Sequence, residues 1–358
     1  MSEKHGANLF DLEMTLGLKK EDILDFSSNI NPFGASQKAK EMVKERIDDV
    51  SIYPDPDYHI LRESISEYAD CNKDNIVLGG GATELIVSFI DTINPKKALI
   101  LYPSYSEYEK DLKKIDCKIE KYFAKKENDF KVSVEGFKEK IKEGKYDLVI
   151  ICNPNNPTGF CFKRSEIEEI ISDAKDTFFM VDETYIEFTD KEIFSSTSLV
   201  DNYNNLYVIR GTSKFFSTPG IRLGYGLIGN EEVRESIKTS LPLWNINILA
   251  TIMGEVMFKD KEFIDRTLVH VKKEIENLTQ SLKTIDYINV YETKGNFILC
   301  EISSGKEASV LYDSLSREGM IIRDCSSFEG LDKNFFRVCI LKTKDNEKLI
   351  NKMKQVSL

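Results

Sequence analysis

Leu206-Tyr-Val-Ile-Arg-Gly-Thr-Ser-Lys214-Phe-Phe-Ser-Thr-Pro-Gly-Ile-Arg222-Leu-Gly-Tyr225 is the stretch whose reading decides the fold. An apolar, β-rich run from Leu206 to Ile209 breaks at Gly211. Two hydroxyl residues, Thr212 and Ser213, then lead into a single lysine. A Pro-Gly turn and Arg222 follow, and a second apolar run covers Leu223 to Ile228. A lysine between a strand end and a turn is a candidate for Schiff-base chemistry, because burial lowers an amine pKa toward neutrality. Nearby hydroxyls and a guanidinium suit a phosphate, which takes several donors and positive charge. The plain alternative is a surface lysine on a connecting loop.

Motifs elsewhere in the chain weigh against that alternative. Ile76-Val-Leu78 reads as a strand, followed by Gly79-Gly80-Gly81-Ala82-Thr83-Glu84 and a helix expected over Leu85 to Ile93. Such a glycine turn presents free backbone N–H groups to an anion, and it lacks the Gly-Lys-Ser/Thr of a Walker loop. Lys97–Tyr102 is the next expected strand, with Pro103-Ser-Tyr105 at its end. Leu148–Cys152 is an apolar run of parallel-strand type that ends in Asn153-Pro-Asn-Asn156-Pro-Thr-Gly159. Phe178–Val181 leads into Asp182-Glu183-Thr-Tyr185.

Taken in this order, the motifs resemble the class I/II aminotransferases, the fold-type I pyridoxal-phosphate enzymes. The chain's Ser213-Lys214 and Gly220-Ile-Arg222-Leu-Gly-Tyr225 are similar to that family's lysine segment. The resemblance implies an α/β fold: a large domain with a mostly parallel sheet covered by helices, plus a small α+β domain. The expected boundaries are residues 35–245 for the large domain, and 1–34 with 246–358 for the small one.

It also implies roles. Lys214 would carry pyridoxal 5'-phosphate as a Schiff base and then act as acid and base. Asp182 would pair with the pyridine nitrogen, keeping the ring an electron sink, while Tyr105 stacks on the ring. Asn156 and Tyr185 would meet the phenolic oxygen. Gly81, Ala82, Thr83, Ser213 and Arg222 would hold the phosphate, and Tyr53 would reach the phosphate of a neighbouring subunit, making a homodimer. The position three before the lysine, usually a hydroxyl, is Gly211. One phosphate hydrogen bond is therefore expected to be missing unless Thr212 supplies it.

His5-Gly-Ala-Asn8 and the loop around Asn29 look like the N-terminal signature of L-threonine-O-3-phosphate decarboxylases, a branch near the histidinol-phosphate aminotransferases. His5, Asn29 and Arg323 would form a pocket for a substrate phosphate, and Arg337 would fork onto an α-carboxylate. Ala7, Gly211 and Leu341 depart from the decarboxylase pattern. Transamination of a small phosphorylated amino acid or amine is therefore placed ahead of phosphothreonine decarboxylation. A non-enzymatic, cofactor-binding regulator ranks last, because it would need a DNA-binding segment.

Composition is that of a soluble globular protein and not of a disordered chain. The 358 residues are 41% hydrophobic and 30% charged, with a formal charge of −11 that argues against general nucleic-acid binding. The seven cysteines show no Cys-x-x-Cys spacing and the three histidines are scattered, so no zinc site or disulfide framework is expected. No signal core or membrane-length apolar run appears, and a cytoplasmic location is expected. After Ile228 the pattern predicts a helix over 231–239 and one long helix from about 249 to 282. Strands over 288–291, 296–301, 321–323 and 337–340 follow, with helices over 307–317 and 346–356.

Overall fold

The computed structural model describes residues 8–356. In chain order its strands are β1 (Leu24–Asp25), β2 (Ile76–Gly79), β3 (Lys97–Tyr102), β4 (Lys118–Phe123), β5 (Leu148–Cys152), β6 (Phe178–Asp182), β7 (Leu206–Gly211) and β8 (Gly224–Ile228). Then come β9 (Ile288–Val290), β10 (Phe297–Ile302), β11 (Met320–Ile321), β12 (Arg323–Asp324) and β13 (Phe335–Cys339). Seven of them form one sheet in the order β2-β8-β7-β6-β5-β3-β4. Neighbours from β4 through β7 are parallel, and β8 runs antiparallel to both β7 and β2.

This sheet is apolar on both faces because helices cover both. Every residue of β5 is buried, and the period of two sends its side chains to two separate cores. Leu99, Leu101, Val149 and Ile151 join one of them. Ala98, Ile100, Leu148 and Ile150 join the other, with Phe89 and Ile90 of the helix Ala82–Ile93. A second, four-stranded antiparallel sheet has the order β12-β13-β10-β9, and β1 pairs in parallel with β11. The fold is thus α/β with a mostly parallel main sheet and a smaller α+β part. Among the described residues no helix is long and apolar enough to cross a membrane.

Three expectations need correction. The long helix over 249–282 is two helices, Ile248–Met257 and Lys261–Leu282. Between them the Asp260 carboxylate accepts the Phe263 N–H and binds Ser36 Oγ at 2.6 Å and Lys38 Nζ at 3.0 Å. An aspartate with those partners starts a new helix rather than continuing the old one. The strand expected over 321–323 is two short strands in different sheets, parting at Ile322. The helix expected from Leu85 starts at Ala82, because its entry is set by Gly81 at φ 97° and not by the first apolar residue.

Strands β6 and β7 are tied at their carboxyl ends by a buried ion pair. Arg210 donates to Glu183 Oε2 from Nε at 3.0 Å and from Nη2 at 2.9 Å, and Nη2 also reaches Ser195 Oγ and Thr197 Oγ1, each at 2.6 Å. Glu183 Oε1 accepts the Ser196 N–H at 2.5 Å. Removing one partner of such a pair leaves the other charged, buried and uncompensated. Arg210→Met is expected to cost about 3–5 kcal/mol in urea unfolding. Adding Glu183→Leu should recover part of that loss. A single-variant cost below about 1 kcal/mol would show that the pair is not a structural tie.

Candidate active site

The carboxyl ends of β5, β6 and β7 open onto a cavity of about 360 Å³. Register sets Cys152 beside Asp182 and Asp182 beside Ile209. Lys214 follows β7 by a short turn and lines this cavity with Ser213, Tyr105, Asn156, Tyr185, Ala82, Thr83 and Arg222. Arg323 and Arg337 line it from the small sheet, where they are cross-strand partners.

Lys214 Nζ donates to the Ser28 carbonyl at 2.7 Å. Burial, and after it the nearby Arg337 guanidinium, pull its pKa from 10.5 down to about 8. Asp182 is buried, and its Oδ1 accepts the Thr184 N–H at 2.9 Å and hydroxyl at 2.5 Å. Burial raises the Asp182 pKa against these donors. Tyr105 bonds Thr83, and burial pushes its phenol up to about 12. The Tyr185 hydroxyl accepts from Asn29 Nδ2 at 3.3 Å and Asn156 Nδ2 at 3.5 Å, and burial raises its pKa as well.

Arg337 donates to Asn156 Oδ1 and, at 2.5 Å, to the Ser27 carbonyl. Its guanidinium lies over the Phe297 ring at 5.2 Å, and its buried Nε has no partner among the described residues. Arg323 donates to Ser327 Oγ at 2.9 Å and lies over Phe328 at 5.4 Å.

The glycine turn is as tight as the sequence implies. A Cβ on Gly81 would lie 2.5 Å from Arg222 Nη2, and one on Gly224 would lie 2.8 Å from the Gly81 carbonyl carbon. Bare backbone here lets the first amides of the helix Ala82–Ile93 and the Arg222 guanidinium converge, as an anion requires. Thr212 does not replace the hydroxyl missing at Gly211. Its side chain is buried, bonded to the Leu223 carbonyl at 2.9 Å and to Thr218 Oγ1 at 2.9 Å.

The structure does not place every expected residue at the cavity. Asn29 reaches the site only through Tyr185, and its own carbonyl is held by Asn296 at 3.0 Å. Tyr53 is 75% exposed and stacks on Trp244 at 4.2 Å, outside the cavity. His5 lies outside the described residues. Two groups were missed in the sequence. Tyr108, three residues beyond Tyr105, bonds Asp182 at 2.6 Å, and Phe328 walls the cavity beside Arg323. The Tyr105–Tyr108 spacing across a helix start was the available signal for the first. Nothing local marks the second.

A family model described as aminotransferase class I and II matches residues 21–353. The chain belongs to the class I and II aminotransferase family. The enzyme's cofactor is therefore pyridoxal 5'-phosphate, and its substrate is a small molecule. A "Putative threonine-phosphate decarboxylase" of Caldanaerobacter subterraneus is 39% identical over 98% of this chain and 93% of its own length. A histidinol-phosphate aminotransferase of Methanocaldococcus jannaschii is 31% identical over 98% and 94%. The crystal structure of the histidinol-phosphate aminotransferase from Clostridium acetobutylicum superposes with a TM-score of 0.87 at 36% identity, covering 93% of this chain and 98% of that one.

The depressed Lys214 pKa has a consequence for stability. The unfolded lysine keeps its proton to about 10.5 while the folded one releases it near 8, so stability rises with pH across that window. Below pH 8 the buried charge is a constant cost. In the apoenzyme, Lys214→Met should be more stable than wild type at pH 7 by on the order of 1–3 kcal/mol. The gap should close between pH 8 and 10.5. Thermal unfolding across this range checks it, and a pH-independent gap would contradict the account.

Proposed function

We propose that this enzyme acts on a small amino compound bearing a phosphate, with transamination as the leading reaction. The observation that carries the reading is the pairing of Arg323 with Arg337 across β12 and β13, on the cavity that holds Lys214. Two guanidinium groups on separate supports suit two anions, and the unpartnered Arg337 Nε leaves a donor for one of them. A second reading, decarboxylation of a phosphorylated amino acid, is supported by the 39% identical relative.

The residues fit pyridoxal phosphate group by group. Ala82, Thr83, Ser213 and Arg222 would hold the phosphate, Tyr105 the ring face, Asp182 the ring nitrogen, Asn156 and Tyr185 the phenolic oxygen, and Lys214 the aldehyde carbon. When bound, the cofactor supplies an electron sink for whichever bond at Cα is broken. With a pKa near 8, Lys214 is poised to take or give a proton close to neutral pH. Arg337, fixed by Asn156 and Ser27, would orient a carboxylate, and Arg323, fixed by Ser327, would orient the phosphate.

A screen with histidinol phosphate and O-phosphothreonine, following amino transfer and carbon dioxide release separately, assigns the reaction. Arg323→Ala should lower kcat/KM about ten- to a hundredfold for the phosphorylated compound and leave its plain analogue nearly unchanged. Equal losses on both would remove the phosphate from this reading and leave an ordinary amino-acid aminotransferase.

We also propose a homodimer, a large domain over 35–245 with a small one from 1–34 and 246–358, and a cytoplasmic location. Exposed Ile47, Val50, Ile52, Tyr53 and Leu243 support the first, and an apolar face of this kind suits a second copy. The pairing of β1 with β11 supports the second, and the uniformly free described cysteines the third. Mixing Tyr53→Phe with Lys214→Ala subunits should give dimers with one site lacking both groups and one lacking neither. Activity at limiting cofactor should then exceed that of either parent. Activity equal to the parents' average would refute a shared site.

A further inference from the structure

A carboxylate has about four lone-pair positions, and the chain's own donors occupy three of those on Asp182. Thr184 takes both on Oδ1 through its N–H and its hydroxyl. Tyr108 takes one on Oδ2 at 2.6 Å. The remaining position is on Oδ2, and Asp182 lines the cavity. Tyr108 therefore decides which way that last acceptor points.

Its own placement is rigid. Tyr108 sits in the first turn of the helix Glu107–Lys114, is fully buried, and packs edge-on against Tyr105 with ring centroids 5.5 Å apart. A fully buried phenol anchored in a helix and packed on a neighbouring ring cannot follow a rotating carboxylate, so the carboxylate follows it. We propose that Tyr108 is a positioning residue that locks the plane of Asp182, aims its one vacant lone pair into the cavity, and stabilises its ionised form. The inference rests on the reading of Asp182 as the partner of the cofactor's ring nitrogen.

The direction of the pH effect follows from the neighbours. The titratable groups facing Asp182 are Tyr108, Tyr105, Tyr185 and Cys152, and burial raises the pKa of each. All stay neutral through mild acid, so Asp182 titrates there alone. A hydrogen bond to the charged form favours that form. Losing the Tyr108 hydroxyl therefore raises the pH at which Asp182 takes up a proton.

Tyr108→Phe keeps the ring and removes only the donor. It should lower kcat about tenfold with KM within about twofold. The acid-side loss of cofactor affinity, measured by absorbance titration of the apoenzyme, should move up by about one pH unit. Placing 3,5-difluorotyrosine at 108 keeps the shape and strengthens the donor, so it should move that limb down. An unmoved limb in both proteins would overturn the proposal even if Tyr108→Phe is less stable, because packing alone does not respond to fluorination in this way. Asp182→Asn separates the two levels. If it sharply lowers turnover while both Tyr108 proteins match wild type, the Tyr108 role fails and the Asp182 reading stands. If Asp182→Asn is itself silent, both fail.

Discussion

The Arg210–Glu183 pair is the constraint on which the rest of the site depends. Asp182 and Glu183 are consecutive, and so are Arg210 and Gly211. The ion pair therefore clamps the two strand ends at the residues next to those facing the cavity. Ser195, Ser196, Thr197 and Tyr225 all contribute polar partners to it. A buried charge pair is weak evidence for stability by itself, but it admits few alternative registers. Any slip of β7 against β6 would separate the arginine from its carboxylate. The Asp182 carboxylate and the turn carrying Lys214 inherit that register.

The site mixes charges in a way that a loose scaffold would not tolerate. Arg337 is buried and stands close enough to the half-buried Lys214 to depress its pKa. The structure offsets this by giving Arg337 carbonyl and amide oxygens, from Ser27 and Asn156, rather than a carboxylate. Its charge is solvated but not neutralised. That leaves it able to attract an incoming anion and to hold the lysine's pKa below its ordinary value.

Much of this was legible in the sequence where chemistry is carried by contiguous residues. The glycine turn, Asn-Asn-Pro-Thr-Gly, the Asp-x-x-Tyr segment and Ser-Lys all lie at strand ends, where an apolar run stops abruptly. What escaped was set by partners distant in sequence. Tyr108 meets Asp182 across 74 residues, and Arg210 meets Glu183 across 27. In a linear reading Arg210 is one charged residue in an apolar strand. The break at Asp260 has the same origin, since its partners Ser36 and Lys38 lie more than two hundred residues away. Ile322 parts two strands because the neighbours on either side belong to different sheets, which no local pattern encodes.

That hop at Ile322 separates two inheritances. Groups suited to the cofactor hang mainly from the large sheet and its connecting turns, whereas the two arginines proposed for the substrate belong to the small one. A lineage can therefore drift in what it recognises through β12, a strand of two residues, without disturbing the machinery that serves every substrate alike. Relatives that share this body and bear the names of different reactions are what such a modular inheritance would leave behind.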